Sequence, residues 1–440
     1  MPLIQPLLDG TYPTVTAGDG VFLTDSEGRR YLDGCSGAVT AGLGHGLREI
    51  VDVMTEQAGR VAFSYRLQFR NQPAEDLAAL LEELAPGDIR WTFFVNSGSE
   101  AIETAMKMAV QYWREAGRPE KSVVLSRRLS YHGITLGALS LSGHRTRRIL
   151  FESLLSPHAL VVPPYCYRCP LDKTYPECRL ACADDLQHHI DRLGPEHVAA
   201  FAVEPVIGAS GGAIVPPPGY FQRIREICDR NDVLLIADEV MTAMGRTGTM
   251  FAMQHWDVDP DLIALGKGVS AGYTPLAATL ASDRLVQTIR RGSGVIMSGH
   301  TYSGNPLSCA VGLAVVRYVQ EHDLLHRAAE LGEQLGARLD KLKALHPIVS
   351  DVRGLGLLWG LELVSDAAAR VPFPVEARVT SRLVALAMEQ GLLLYPALSG
   401  ADDRPGDAVI IAPPLTITEA ELDLLCDLLD GSLTALEGVL

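Results

Sequence analysis

Val233-Leu234-Leu235-Ile236-Ala237-Asp238-Glu239 and, a little further on, Leu262-Ile263-Ala264-Leu265-Gly266-Lys267-Gly268 are the stretches on which the fold is read. Each is a short apolar run that stops abruptly at ionisable residues. Runs of this length, without helical spacing, read as strands buried on both faces. Asp238 and Lys267 then stand at the C-terminal ends of two strands. In open α/β sheets that end is where ligands bind. A lysine held between two glycines behind a buried strand is poorly placed for a merely solubilising role.

Working outward, similar apolar runs occur at 91–95, 121–125, 199–203 and 276–280, separated by amphipathic segments such as 219–231. Alternating strand and helix units predict a mostly parallel sheet covered by helices on both faces. Ser97-Gly98-Ser99-Glu100 opens a helix in which Ala105, Met108, Ala109, Tyr112 and Trp113 share a face. Its N-terminus offers free amides and the positive end of a dipole, an anion site. A plain N-cap on Ser97 or Ser99 accounts for the same residues. An anion site, a carboxylate and a lysine on one crevice rim together point to pyridoxal phosphate.

Before residue 74 the chain shows a short hairpin region at 18–33 and a helical period at 47–59. After about residue 320 the pattern changes. Helices are expected near 305–322, 325–344, 376–390 and 418–436, with strands at 392–395 and 408–412 and a long polar loop at 396–407. We expect residues 1–48 to join a small lobe, 49–322 to form a large cofactor-binding domain, and 323–440 to form a small α+β domain.

The chain has 440 residues, a net charge of −15 and a hydrophobic fraction of 47%. The acidic balance argues against a nucleic-acid partner, which asks for a basic stripe. No run reaches the ~18 apolar residues of a membrane span. The first residues, Met1 to Pro6, lack the basic stretch of a signal peptide, so a cytoplasmic location is expected. Cys166, Cys169, Cys178 and Cys182 form a C-x₂-C…C-x₃-C cluster in a Pro-rich insert. Four thiolates so spaced could hold a structural zinc; four reduced core cysteines are the other reading. Cys35, Cys228, Cys309 and Cys426 are scattered and read as core.

Several segments, in order and spanning nearly the whole chain, resemble the class III (ω-amino acid type) pyridoxal-phosphate aminotransferases of fold type I. They are Asn96-Ser97-Gly98-Ser99-Glu100-Ala101, Tyr131-His132-Gly133, Glu204-Pro205-Val206, Ile236 to Val240 with Gly245-Arg246-Thr247-Gly248, Pro260 to Gly268, and His300 to Pro306. The resemblance implies an α/β fold with a large cofactor domain and a smaller α+β domain. It implies that Lys267 holds pyridoxal 5'-phosphate as a Schiff base and then moves the proton, and that Asp238 faces the pyridine nitrogen. Gly98 and Ser99 would bind the phosphate. Tyr131 and Val240 would cover the two ring faces, with His132 beside them. Thr301 would reach the phosphate of a partner subunit, implying a homodimer.

The same comparison bears on substrate. Met241 stands where many glutamate-using members carry Gln. Ile410 stands where ornithine-type members carry a carboxylate-binding Arg, which leaves Glu204 without the family's partner and free to face another cation or a donor amine. Arg404 resembles the mobile arginine of amine:pyruvate members, and Val39 replaces an often aromatic pocket residue, which implies more room. The expected reaction moves an amino group from a primary amine or ω-amino acid to a keto acid, pyruvate before 2-oxoglutarate. Aminomutase, racemase or decarboxylating chemistry on the same scaffold is the alternative, and a non-catalytic regulator a remoter one.

Overall fold

The computed structural model describes residues 3–6, 8, 10–158, 160–400 and 405–440. Near the N-terminus, β1 (Val15–Asp19), β2 (Phe22–Asp25) and β3 (Arg30–Asp33) form an antiparallel meander. The central sheet contains β4 (Ile89–Val95), β5 (Val123–Arg127), β6 (Leu160–Val161), β7 (Val198–Val203), β8 (Leu234–Asp238), β9 (Leu262–Leu265) and β10 (Ala277–Ser282). Their spatial order is β4-β10-β9-β8-β7-β5-β6. Strands β9, β8, β7, β5 and β6 run parallel; β10 alone pairs antiparallel with both its neighbours.

Alternation along these strands separates two cores. Ala200, Ala202, Leu234, Ile236, Leu262 and Ala264 point to one face. There they meet Ala101, Ala105, Met108, Ala109 and Trp113 of the Gly98–Glu115 helix. Leu125, Phe201, Val203, Leu235, Ile263 and Leu265 point to the other face and join the main core. The small alanines let the helix approach closely, so its N-terminus is carried to the C-terminal edge of the sheet.

The last third builds a second, antiparallel sheet from β11 (Val349–Leu355), β12 (Leu358–Leu363), β14 (Tyr395–Ser399) and β15 (Gly406–Ile411), in the order β11-β12-β15-β14. The two-residue β13 (Leu392–Leu393) instead pairs in parallel with β3, stitching the two chain ends together. The expected loop at 396–407 is therefore corrected: its first part is strand β14, hydrogen-bonded to β15 through Ser399. Pro396 disguises this strand in the sequence. It is tolerated because β14 is the edge of its sheet, where a missing N–H leaves no ladder bond unmade. Arg404 lies outside the described residues.

Two buried arginine ties join the parts. Arg246 donates to the carbonyls of Leu357 (2.9 Å) and Pro413 (2.6 Å) and to Ser36 Oγ (3.1 Å). Glu362, with no exposed surface, bridges Arg168 (2.8 Å) and Arg353 (2.7 Å) and accepts from the Tyr165 hydroxyl. Removing the buried carboxylate from between two partly buried cations weakens their compensation, Arg353 keeping Asp351, and the upper limit is the about 3–5 kcal/mol of a broken buried pair. Glu362→Gln is thus expected to lower unfolding stability by up to that order in urea titration. A loss below about 1 kcal/mol, the level of an exposed ion pair, would show that the cluster is screened by solvent.

The Glu362 tie also explains how the cysteine insert is held. Tyr165 and Arg168 belong to that insert. Among the described residues no group of three or more His, Cys, Asp or Glu side chains is arranged to hold a metal ion, so the zinc reading of Cys166, Cys169, Cys178 and Cys182 is corrected. All four are free thiols; Cys166 is exposed and Cys182 buried. Burial, with the neighbouring thiols adding to it, pushes Cys182 up to about 12, so it stays a neutral thiol packed in the core. Among the described residues no helix is long and apolar enough to cross a membrane.

Candidate active site

Four parallel strands deliver side chains to one edge of the central sheet. After β5 come Tyr131, His132 and Gly133; after β7, Glu204; at the end of β8, Asp238; after β9, Lys267. With Gly98, Ser99, Val206, Val240 and Met241 they line one cavity of about 160 Å³. A cavity near that size accepts an aromatic ring.

Asp238 is buried at 4% exposure. Its Oδ2 accepts from His132 Nδ1 at 2.7 Å, and its Oδ1 accepts the Val240 N–H at 3.2 Å. The backbone of His132 is held in turn, its N–H donating to Ser142 Oγ at 2.8 Å. His132 Nε2 is buried and has no hydrogen-bond partner among the described residues. The carboxylate is therefore oriented by two donors and still has acceptor capacity toward the cavity.

Lys267 adopts a left-handed backbone, φ 43°, one residue beyond Gly266. A lysine pays a local steric cost there, and such outliers gather at functional sites. Burial pushes its amine down to about 8; Asp238 and Glu204 pull the other way, and Arg147 and Arg246 add to the depression. An amine so placed is largely neutral at mildly alkaline pH and can act as a nucleophile.

At the helix start, the two sequence readings are both accommodated. Ser97 is the N-cap, accepting the Glu100 N–H at 3.3 Å. That leaves Gly98 and Ser99 at the first helical positions, where an amide has no carbonyl of its own helix to bond. Ser99 Oγ accepts the Ile134 N–H at 3.0 Å. A Cβ on Gly98 would sit 2.9 Å from Val240 Cγ1, so only glycine lets this helix start and Val240 close on the cavity together. The pieces fit pyridoxal phosphate: amides for a phosphate, a carboxylate for a pyridinium and a lysine for an aldehyde.

Other expectations are redrawn by the geometry. Glu204 makes no ion pair among the described residues, but it lines the cavity with Lys267 and acts on that amine through its charge. It accepts the N–H groups of Tyr131 (3.0 Å) and Gly208 (3.1 Å), and burial raises its pKa. Val39 is buried in a neighbouring crevice that shares only Met241 with the Lys267 cavity. Ile410 is fully buried in β15, opposite Gly360 and Tyr395. Thr301 is exposed and does not line the Lys267 cavity of its own chain. Its segment lies along the same helix, Ser298 Oγ being 3.3 Å from Thr104 Oγ1.

Sequence reasoning missed Arg147, whose guanidinium lies 4.8 Å from the centre of the Tyr131 ring. The only local signal was the basic run Arg145-Thr146-Arg147-Arg148 that follows the Tyr131-His132-Gly133 segment.

The model of the family described as aminotransferase class-III matches residues 9–433. An uncharacterised aminotransferase of Bacillus subtilis, YodT, is 49% identical over 99% of this chain and 98% of its own. Among solved structures, an (S)-enantioselective ω-transaminase from Thermomicrobium roseum superposes with a TM-score of 0.91 at 37% identity, covering 99% of this chain and 96% of that one. An amine transaminase from an uncultivated Pseudomonas species, solved in its PLP-bound form, gives 0.92 at 36% identity, covering 99% and 98%. With its fold, its strand-end cluster and these matches in agreement, the chain belongs to the class III aminotransferases, enzymes of the pyridoxal-phosphate-dependent fold type I.

Proposed function

We propose that this aminotransferase moves the amino group of a primary amine or ω-amino acid to a keto acid, and that pyruvate is preferred to 2-oxoglutarate. The observation that carries the acceptor preference is Ile410. Its place in β15 is wholly buried and apolar, between Val409 and Ile411. The arginine that the resemblance implies at this position in ornithine-type members, a partner for the α-carboxylate, is replaced by a side chain that offers no charge to a carboxylate. Single half-reactions of the aminated holoenzyme with each keto acid test this. Faster reaction with pyruvate is expected; a strong preference for 2-oxoglutarate would overturn the Ile410 argument.

When bound, pyridoxal phosphate supplies an aldehyde for the amine and a ring that accepts an electron pair. The protein's own part is as follows. Lys267 Nζ would hold the cofactor's aldehyde carbon and, once freed, would serve as the base that moves a proton. Asp238, oriented by His132, would keep the ring nitrogen protonated. The Gly98 and Ser99 amides would hold the phosphate, and Tyr131 and Val240 would cover the ring. Glu204, satisfied by two backbone amides, fixes the Tyr131 backbone.

We further propose two lobes, 49–322 and the chain ends 1–48 with 323–440, working as a homodimer in which Thr301 serves the partner's phosphate site. Exposed Val61, Phe63, Leu67, Phe69, Met297 and Tyr302 support this, Phe63 and Tyr302 meeting edge to face at 5.6 Å. An exposed apolar patch of this kind marks an interaction surface.

A further inference from the structure

We infer that Arg147 is the carboxylate clamp of the acceptor site. The inference rests on the amino-transfer reading above and names the residue that recognises the keto acid. A keto acid brings a carboxylate, and among the described residues, which do not include Arg404, none that lines the Lys267 cavity is an arginine. Arg147 stands at its edge, in the short turn Arg145–Arg148, against the ring of Tyr131, which does line the cavity. Its side chain is exposed, and among the described residues it has no carboxylate partner. Its neighbour Arg148 is engaged differently, donating to the carbonyls of Leu139, Ser140 and Ser142.

The cation–π contact with Tyr131 places the guanidinium without consuming any N–H donor. The planar fork is therefore left to grip a carboxylate through two parallel hydrogen bonds. The turn is anchored by buried His144, whose ring meets Tyr131 edge to face at 6.1 Å and whose Nδ1 lies 3.1 Å from Thr146 Oγ1. Burial pushes His144 down to about 4, so it is neutral and adds no charge here. The depression of Lys267 by Arg147, and the pull of Arg147 on the Tyr395 phenol, set the guanidinium within electrostatic reach of both. A substrate carboxylate between Arg147 and the reacting amine would relieve that like-charge repulsion.

The test separates the two half-reactions of the holoenzyme. In Arg147→Gln the pyruvate concentration for half-maximal rate should rise roughly 10- to 100-fold, the range for removing a hydrogen bond to a charged group. The half-reaction with benzylamine, which has no carboxylate, should fall far less. Arg147→Lys should recover part of the loss, as a point charge without the fork. Equal losses in both half-reactions, no loss with pyruvate, or a loss in Arg404→Gln but not in Arg147→Gln would each overturn the clamp. Propionate binding, read as a change in the visible spectrum of the holoenzyme, gives an independent arm. It should be seen in the wild type and weakened in Arg147→Gln; binding unaffected by the substitution, or absent from the wild type, also overturns the clamp. If no keto acid is aminated yet propionate binding depends on Arg147, the amino-transfer reading fails and the clamp stands.

Discussion

Lys267→Ala is expected to lower amino transfer by about 10⁴-fold or more. The substitution removes both the covalent attachment of the cofactor and the base that moves the proton, and the proton-transfer role alone is worth roughly 10²–10⁴-fold. The variant should fold, because the side chain opens onto the cavity and carries no hydrogen bond that the core needs. Steady-state transfer to pyruvate and the visible spectrum of the reconstituted protein measure the effect. A small added amine such as methylamine should restore part of the proton transfer. A variant within tenfold of the wild type would remove Lys267 from the reaction. The depressed pKa adds a pH signature. With burial setting the amine near 8, the neutral form gains as pH rises through 8. Capture of the cofactor by the cofactor-free protein should accelerate over that window and level off above it. A midpoint near the ordinary lysine value of 10.5 would show an amine that water reaches freely.

Asp238→Asn keeps the shape of the side chain and removes its charge. We expect kcat to fall roughly 10²–10³-fold, the scale for deleting one preorganised electrostatic interaction in a site shielded from water. The hydrogen bond from His132 Nδ1 is made to a carboxylate at 2.7 Å, so the substitution also weakens the group that orients it. Unfolding stability should change little by comparison, and Lys267 should still take up the cofactor. A spectrum and kcat both unchanged would mean that the ring nitrogen is held by another group.

The two expectations rest on features of different visibility. The apolar runs at 233–237 and 262–264, and the ionisable residues that end them, are plain in the linear chain. So are the helix start at Ser97 and the family segments that frame it. A buried strand announces itself through an unbroken apolar run, and a helix end through its cap, because both arise from interactions within a few residues. These local signals suffice for the mostly parallel sheet, for the ligand edge and for a cofactor of known chemistry.

What escapes them is pairing across distance. Whether four cysteines converge, whether Glu204 meets a cation, and whether Val39 reaches the cavity each depend on backbone positions that no local pattern encodes. The tertiary structure supplies them: Cys182 packs in the core beside the other thiols of its cluster, two backbone amides hold Glu204 on the rim it shares with Lys267, and Val39 falls in the adjoining crevice. Strand β14 is hidden for a related reason, since a proline at a sheet edge looks like a loop until its neighbour is known. Arg147 is the sharpest case. In the chain it is one arginine among those of the run Arg145-Thr146-Arg147-Arg148, which reads as a turn of solvated charge. Only the folding of that turn against Tyr131 separates it from its neighbours, because the field of a guanidinium acts through space and not along the backbone.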